Sequence, residues 1–232
     1  MLDKAFELLQ TYEFGDDRKA LNPIDEAIIK THGDAAGRKE LEDRMIAVVK
    51  SDATRNGKDY VCRQLKVIGT EASVPVLAEM LSDENHSHMA RYALESMPND
   101  AAGAALRAAL GKLSGDLKIG VIGSLGVRRD DACVPELQKL VGDSDAAIAT
   151  SAARALAAIR TPAAAKALMA AAPNEAAAAA TTDAMLATAE QLLAGGDKNG
   201  ALVIYTKLTK SPLNHVKLAA TNGMLACAGA VK

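Results

Sequence analysis

Apolar positions recur about every 30 residues between Thr70 and Pro162, in a unit of two short amphipathic stretches. Within each stretch the apolar residues are spaced by three or four, which predicts helices. Leucines at the same place in successive units lie 29, 31 and 31 positions apart: Leu77, Leu106, Leu137 and Leu168. A self-similar period of roughly 20–50 residues indicates a stacked array of supersecondary units. The pattern therefore predicts an all-α chain built from repeated helix pairs.

The second helices of these pairs align on their last apolar residue. Three positions before that residue each helix carries another apolar side chain, which we expect in the core: Leu65, Leu94, Ile122 and Leu156. The paired pattern begins at Arg38, so we predict N-terminal capping helices over 1–37, repeats over 38–197 and a C-terminal capping helix pair over 198–232. Together these form one continuous domain, a right-handed superhelical α-α solenoid of about six helix pairs.

Composition narrows the function classes. Hydrophobic residues make up 49% of the chain and aromatics only 3%, without a tryptophan, so alanine and leucine must do the packing. The net charge of −2 argues against a nucleic-acid partner, for which a basic surface is expected. The absence of an apolar run of roughly 18 residues argues against a membrane span. We expect a cytoplasmic protein by default; the alternative is a domain excised from a longer or exported protein.

One segment resembles a known repeat family. Residues 125–145 read LGVRRDDACVPELQKLVGDSD, and residues 152–159 read AARALAAI. This order of a Leu-Gly pair, a charged loop, a Val-Pro-x-Leu helix, an Asp-rich turn and an alanine-rich helix resembles HEAT repeats of the bacterial type. The resemblance is best over 70–170 and implies an armadillo-like α-solenoid. HEAT-like motifs do not specify a function, and our prediction of a scaffold for protein binding rests on the surface that such a solenoid offers. The last unit, around Tyr205, departs from the pattern and is also similar to a tetratricopeptide helix pair.

Solenoids of this kind use the second helix of each pair to line a concave side. Spacings of three and four place residues on one helix face. The residues that share this face form a mixed-charge ridge with a glycine notch at Gly120 and Gly123. We predict that this ridge binds a protein or peptide partner through Asp59, Arg63, Lys66, His88, Tyr92, Glu95 and Arg154. Because tyrosine and arginine are the usual hot-spot types, Tyr92, Arg63 and Arg154 are the expected anchors. The alternative interpretation is an ordinary solvated helix face.

The densest charge cluster is the predicted loop Arg128–Asp131. We interpret Arg128, Arg129, Asp130 and Asp131 as a structural ladder, in which side chains bond to neighbouring turns. Recognition of an anion or a partner is the alternative for this loop.

No pattern for catalysis stands out. The three cysteines are far apart, the His-Glu dipeptides of a di-iron HEAT-like class are missing, and no phosphate-binding glycine loop occurs. We therefore predict a protein that is not an enzyme and binds no metal or cofactor. Three alternatives stay open: a HEAT-like DNA glycosylase, a bilin-lyase relative, and a structural arm of a larger multidomain protein.

Overall fold

The computed structural model describes residues 1–229, and within these residues it contains helices and no β-strand. The all-α class and the succession of helix pairs predicted from the sequence are confirmed. The leucines used to define the period are buried, as are the four predicted core residues of the second helices. Among the described residues, no helix is long and apolar enough to cross a membrane.

The chain packs as two compact units, the first ending at Ser124 and the second beginning at Leu125. The predicted division at 37 and 197 stays a prediction, and residues 230–232 of the predicted C-terminal cap lie outside the described part. The first unit contains these helices: α1 (Leu2–Leu8), α2 (Asn22–Lys30), α3 (Ala35–Lys50), α4 (Arg55–Ile68), α5 (Val74–Glu79), α6 (Ser87–Ser96) and α7 (Asp100–Leu110). Helix α8 (Gly115–Arg128) begins in the first unit and ends in the second.

Up to residue 229, the second unit continues with six helices: α9 (Val134–Leu140), α10 (Ala146–Ile159), α11 (Pro162–Ala170), α12 (Glu175–Ala194), α13 (Lys198–Leu208) and α14 (Asn214–Cys227). Single turns of 3₁₀ helix lie at Arg18–Leu21, Met80–Ser82 and Asp131–Cys133. Helix α10 packs against α9 and α12, and α13 packs between α12 and α14.

The helix starts follow from local sequence. Side chains at the residue before the helix accept hydrogen bonds from free backbone N–H groups, as Thr54 does at α4 and Asn99 does at α7. Proline occupies the first turn of α5, α9 and α11, where its missing N–H removes no helical hydrogen bond. These signals set the positions at which each helix begins. The position at which a helix begins therefore determines which of its side chains lie on each face.

The predicted loop Arg128–Asp131 is shorter than expected. Arg128 belongs to the last turn of α8, and Arg129 is the first residue to leave the helix, with φ 54°. The N–H groups of Arg129 and Asp130 bond back to the carbonyls of Gly126 and Leu125, which ends the helix in a left-handed cap. The placement of Arg128 in a loop was wrong because the cap at Arg129 closes the helix one turn later than the sequence indicated.

Candidate protein-interaction face

Three of the predicted ridge residues meet on α4 and α6, which pack side by side in the first unit. The Lys66 Nζ lies 4.0 Å from the centroid of the Tyr92 ring, and the Arg63 Cζ lies 5.6 Å from it. Arg63 is exposed, whereas Lys66 and Tyr92 are half-buried. Two cations placed over one aromatic ring form cation–π contacts. We call Arg63, Lys66 and Tyr92 the Tyr92 cluster.

The charge of the Tyr92 cluster changes the tyrosine itself. A hydrogen bond from Lys66, together with the positive charge of that ammonium, lowers the pKa of the Tyr92 hydroxyl. Among the described residues, neither Arg63 nor Lys66 forms an ion pair with a carboxylate. The cluster therefore presents two positive charges and a polarised phenol on a surface of two adjacent helices.

Asp59 and His88 lie at one end of this face. Burial raises the pKa of Asp59, and the nearby charges of Arg55 and His86 offset part of that rise. Within the described chain, the Asp59 Oδ1 is buried without a hydrogen-bond partner. His88 is exposed on α6, and its neighbour His86 is engaged elsewhere, with its Nδ1 2.8 Å from the Asp83 Oδ2. Arg63 and His88 are both among the charges near Asp59, so these residues border the Tyr92 cluster.

Glu95 is turned toward α8 and bonded there. The Ser124 hydroxyl donates to the Glu95 Oε1 at 2.6 Å. Glu95 is half-buried in this contact. The Glu95 carboxylate therefore has a hydrogen-bond partner within the unit. The cations of the Tyr92 cluster, in contrast, have no carboxylate partner among the described residues.

Arg91 fills the predicted glycine notch at Gly120, whereas the space beside Gly123 is open. Its Nη1 donates to the Gly120 carbonyl at 3.2 Å and lies 3.5 Å from the Ser124 Oγ. A Cβ added to Gly120 would lie 2.6 Å from the Arg91 Cζ, so the guanidinium occupies the space that a side chain would take. Burial lowers the pKa of Arg91, and the charge of Glu95 counters this effect. The notch on α8 is thus a socket for a side chain of α6 and is not open to a partner at Gly120.

Sequence reasoning missed Arg91, although a signal was present. With the second helices aligned on their last apolar residue, Arg91 falls where the other helices carry Cys62, Ile119 and Ala153. An arginine at an apolar repeat position needs a polar partner. Gly120 and Ser124 of the following second helix are the residues that accommodate it.

Arg154 lies in the second unit, exposed on α10. Its immediate neighbours Ala153 and Ala155 are buried, so Arg154 is a single charge on an alanine-packed helix. Its role as a binding residue stays a prediction.

The residues of the predicted ladder differ in their bonding. Asp131 accepts a hydrogen bond of 2.5 Å from the Thr161 hydroxyl, 30 residues further along the chain. Thr161 also caps α11, so this bond joins the starts of two successive pairs. The Asp130 carbonyl accepts from the Cys133 thiol, Arg128 is half-buried and Arg129 is exposed. Asp131 thus makes the kind of contact that a ladder requires, and the role of the four residues stays a prediction.

The remaining candidates for a chemical function are the potential metal ligands and the cysteine thiols. Within residues 1–229, no group of three His, Cys, Asp or Glu side chains is arranged to hold a metal ion. Burial raises the pKa of the Cys62 thiol to about 12, which keeps it in the unreactive thiol form.

One comparison with known protein families agrees with the repeat pattern. A model of HEAT repeats matches residues 103–189, and the expected resemblance to HEAT repeats is confirmed over that range. One similar solved structure is that of human deoxyhypusine hydroxylase in complex with glycerol, at 13% identity and a TM-score of 0.36. That similarity covers 98% of this chain and 96% of that one. No curated protein sequence matches.

Proposed function

We propose that this HEAT-repeat chain is a non-catalytic protein-interaction module that binds a protein or peptide through the face formed by α4 and α6. The Tyr92 cluster carries the proposal. It combines an aromatic ring with two cations on adjacent rigid helices, and tyrosine and arginine are the residue types that most often dominate binding energy.

The rigidity of the face supports the same function. Lys66 and Arg63 are one turn apart on α4, and the core residue Leu65 between them is fully buried. On α6 the buried pair Ala93 and Leu94 follows Tyr92 directly. Because these backbones are fixed by the core, little conformational entropy is lost when a partner binds, which favours affinity.

His88, exposed on α6, is a further contact of this proposal. Arg154 is exposed on α10 of the second unit, and its part in binding stays a separate prediction. The contribution of a single rim charge is expected to be small and to act mainly on the rate of association.

The experiment is affinity capture from the source cell with the full chain, using the wild type, Tyr92→Ala and Tyr12→Ala in parallel. Tyr12 is a half-buried tyrosine outside α4 and α6, which makes it a matched control. We expect partners retained by wild type and Tyr12→Ala to be depleted about tenfold or more by Tyr92→Ala, because loss of a hot spot costs at least about 2 kcal/mol. Unchanged helicity by circular dichroism must accompany that loss. If every captured protein survives Tyr92→Ala, the proposed face is wrong.

A further inference from the structure

A groove of about 780 Å³ lies beside α4 in the first unit. The turn between α2 and α3, the first half of α3 and the end of α4 form its walls. Its apolar lining includes Val67 and Ile68, and its charged lining consists of Arg38, Lys39 and Glu42. Its size is within the range of ligand-binding clefts, so the nature of its charges decides what fits.

Of these three charged side chains, only Arg38 has terminal polar atoms without a partner among the described residues. The Glu42 side chain is buried and accepts hydrogen bonds from the Thr70 N–H at 2.7 Å and the Thr70 hydroxyl at 2.8 Å. Lys39 pairs with Asp43 at 2.5 Å. Arg38 uses its Nε to bond the Thr31 carbonyl at 3.3 Å, and within the described chain its two terminal nitrogens have no partner. The groove therefore presents an available guanidinium fork beside apolar walls.

The groove continues into the Tyr92 cluster along the surface of α4. Val67 lines the groove and follows Arg63 by four positions, so the two side chains are neighbours on the helix. Val67 is 65% exposed, so its side chain is accessible to a ligand. A stripe thus runs from Tyr92 across Arg63 and Val67 to Arg38. We call this surface the α4 stripe.

The α4 stripe is positively charged, whereas the chain as a whole is negatively charged. Arg38, Arg63 and Lys66 lack carboxylate partners among the described residues, whereas the chain as a whole carries a net charge of −2. A guanidinium fork binds a carboxylate through two parallel hydrogen bonds. An exposed valine and an aromatic ring beside it fit an aliphatic side chain.

From this charge complementarity we infer that the α4 stripe binds an acidic peptide segment that carries aliphatic side chains. The inference rests on the proposed function and names the chemistry of the partner. Carboxylates of the peptide contact Arg38, Arg63 and Lys66, and an aliphatic side chain packs on Val67. A nucleic acid is also polyanionic, but it has no aliphatic side chain for Val67.

The test is a fluorescence-anisotropy titration of the full chain with a short labelled peptide of alternating glutamate and leucine. The wild type is expected to bind, and the affinity is expected to fall with added salt because exposed charges are screened. The double variant Arg63→Glu/Lys66→Glu, and separately Arg38→Glu, is expected to weaken binding about tenfold or more. The control Lys50→Glu/Lys112→Glu makes the same change in net charge at exposed lysines outside the α4 stripe, and is expected to change binding less than about twofold.

Two further titrations test the role of Val67 and the choice of a peptide over a nucleic acid. A glutamate–serine peptide of the same length is expected to bind more weakly, and equal binding would overturn the role of Val67. Tighter binding of a single-stranded oligonucleotide of the same charge would overturn the choice of a peptide. If the peptide does not bind while Tyr92→Ala still abolishes capture of a cellular partner, the acidic-peptide inference fails and the proposed interaction function stands.

Discussion

The second helices α6 and α10 solve the same packing problem in different ways. At one repeat position α6 carries Arg91, which enters the first unit's α8 at Gly120, whereas α10 of the second unit carries the fully buried Ala153. A guanidinium needs a hydrogen-bonding socket, while alanine needs only close contact. In the first unit, part of the contact between α6 and α8 is therefore polar, and the exposed face of this unit is rich in charge.

The second unit is packed by small side chains. Along α10 the buried residues are nearly all alanine: Ala149, Ala152, Ala153, Ala155 and Ala157, with Ile148, Leu156 and Ile159. Where α8 meets α10, a Cβ added to Gly126 would lie 3.0 Å from the Ala155 Cα, so these backbones approach closely. The contrast teaches that the second unit is packed mainly by alanine, whereas the first unit has the charged face through which we propose that a partner binds.

The largest effect is expected from placing the arginine of α6 into α10. Ala153→Arg buries a charge where no glycine socket exists, so we expect the free energy of unfolding to fall by about 3–5 kcal/mol. Urea denaturation followed by circular dichroism measures this change. Ala158→Arg, at an exposed position of the same helix, is the control and should stay within about 0.5 kcal/mol of wild type. A cost below about 1 kcal/mol for Ala153→Arg would show that the two units do not differ in this way.

A smaller effect is expected from removing the socketed arginine. Arg91→Ala deletes the bond to the Gly120 carbonyl and the packing of the stem, and it leaves Glu95 without its neighbouring charge. We expect a loss of about 1–3 kcal/mol in the free energy of unfolding. The matched variant Arg154→Ala removes an exposed arginine from α10 and should cost less than about 0.5 kcal/mol. Equal losses for the two variants would contradict the socket.

The smallest effect concerns the cap where α8 ends. Arg129 has φ 54°, a conformation that costs an L-residue with a Cβ roughly 1 kcal/mol and suits glycine. Arg129→Gly is therefore expected to raise the melting temperature and to increase the free energy of unfolding by about 0.5–1 kcal/mol. The neighbouring Arg128→Gly lies within the helix and is expected to lower it by a similar amount. Calorimetric melting curves of the two variants must shift in opposite directions; a shift in the same direction would argue against strain at Arg129.

The repeat period was sufficient to predict the core, because positions such as Leu65 and Leu94 are set by helical periodicity, which is a local property of the sequence. Aligning the repeats placed Lys66 and Tyr92 on one predicted face, but their 4.0 Å approach was not predicted. The binding role of that face stays a prediction. The Arg91 socket depends on a tertiary contact between α6 and α8. The groove at Arg38 depends on the turn at Gly33, which has φ 85° and no repeat equivalent to reveal it.

The central claim is that a partner contacts the Tyr92 cluster on α4 and α6. The most direct measurement is site-specific photo-crosslinking in the source cell, followed by mass spectrometry of the adducts. A benzophenone amino acid is placed at position 88, an exposed position of α6 one turn from Tyr92, or, as control, at position 12. The account predicts that position 88 yields a defined protein adduct that position 12 does not, and that Arg63→Glu/Lys66→Glu abolishes it. Identical adduct patterns from the two positions, or an adduct at position 88 unaffected by the charge reversal, would contradict it.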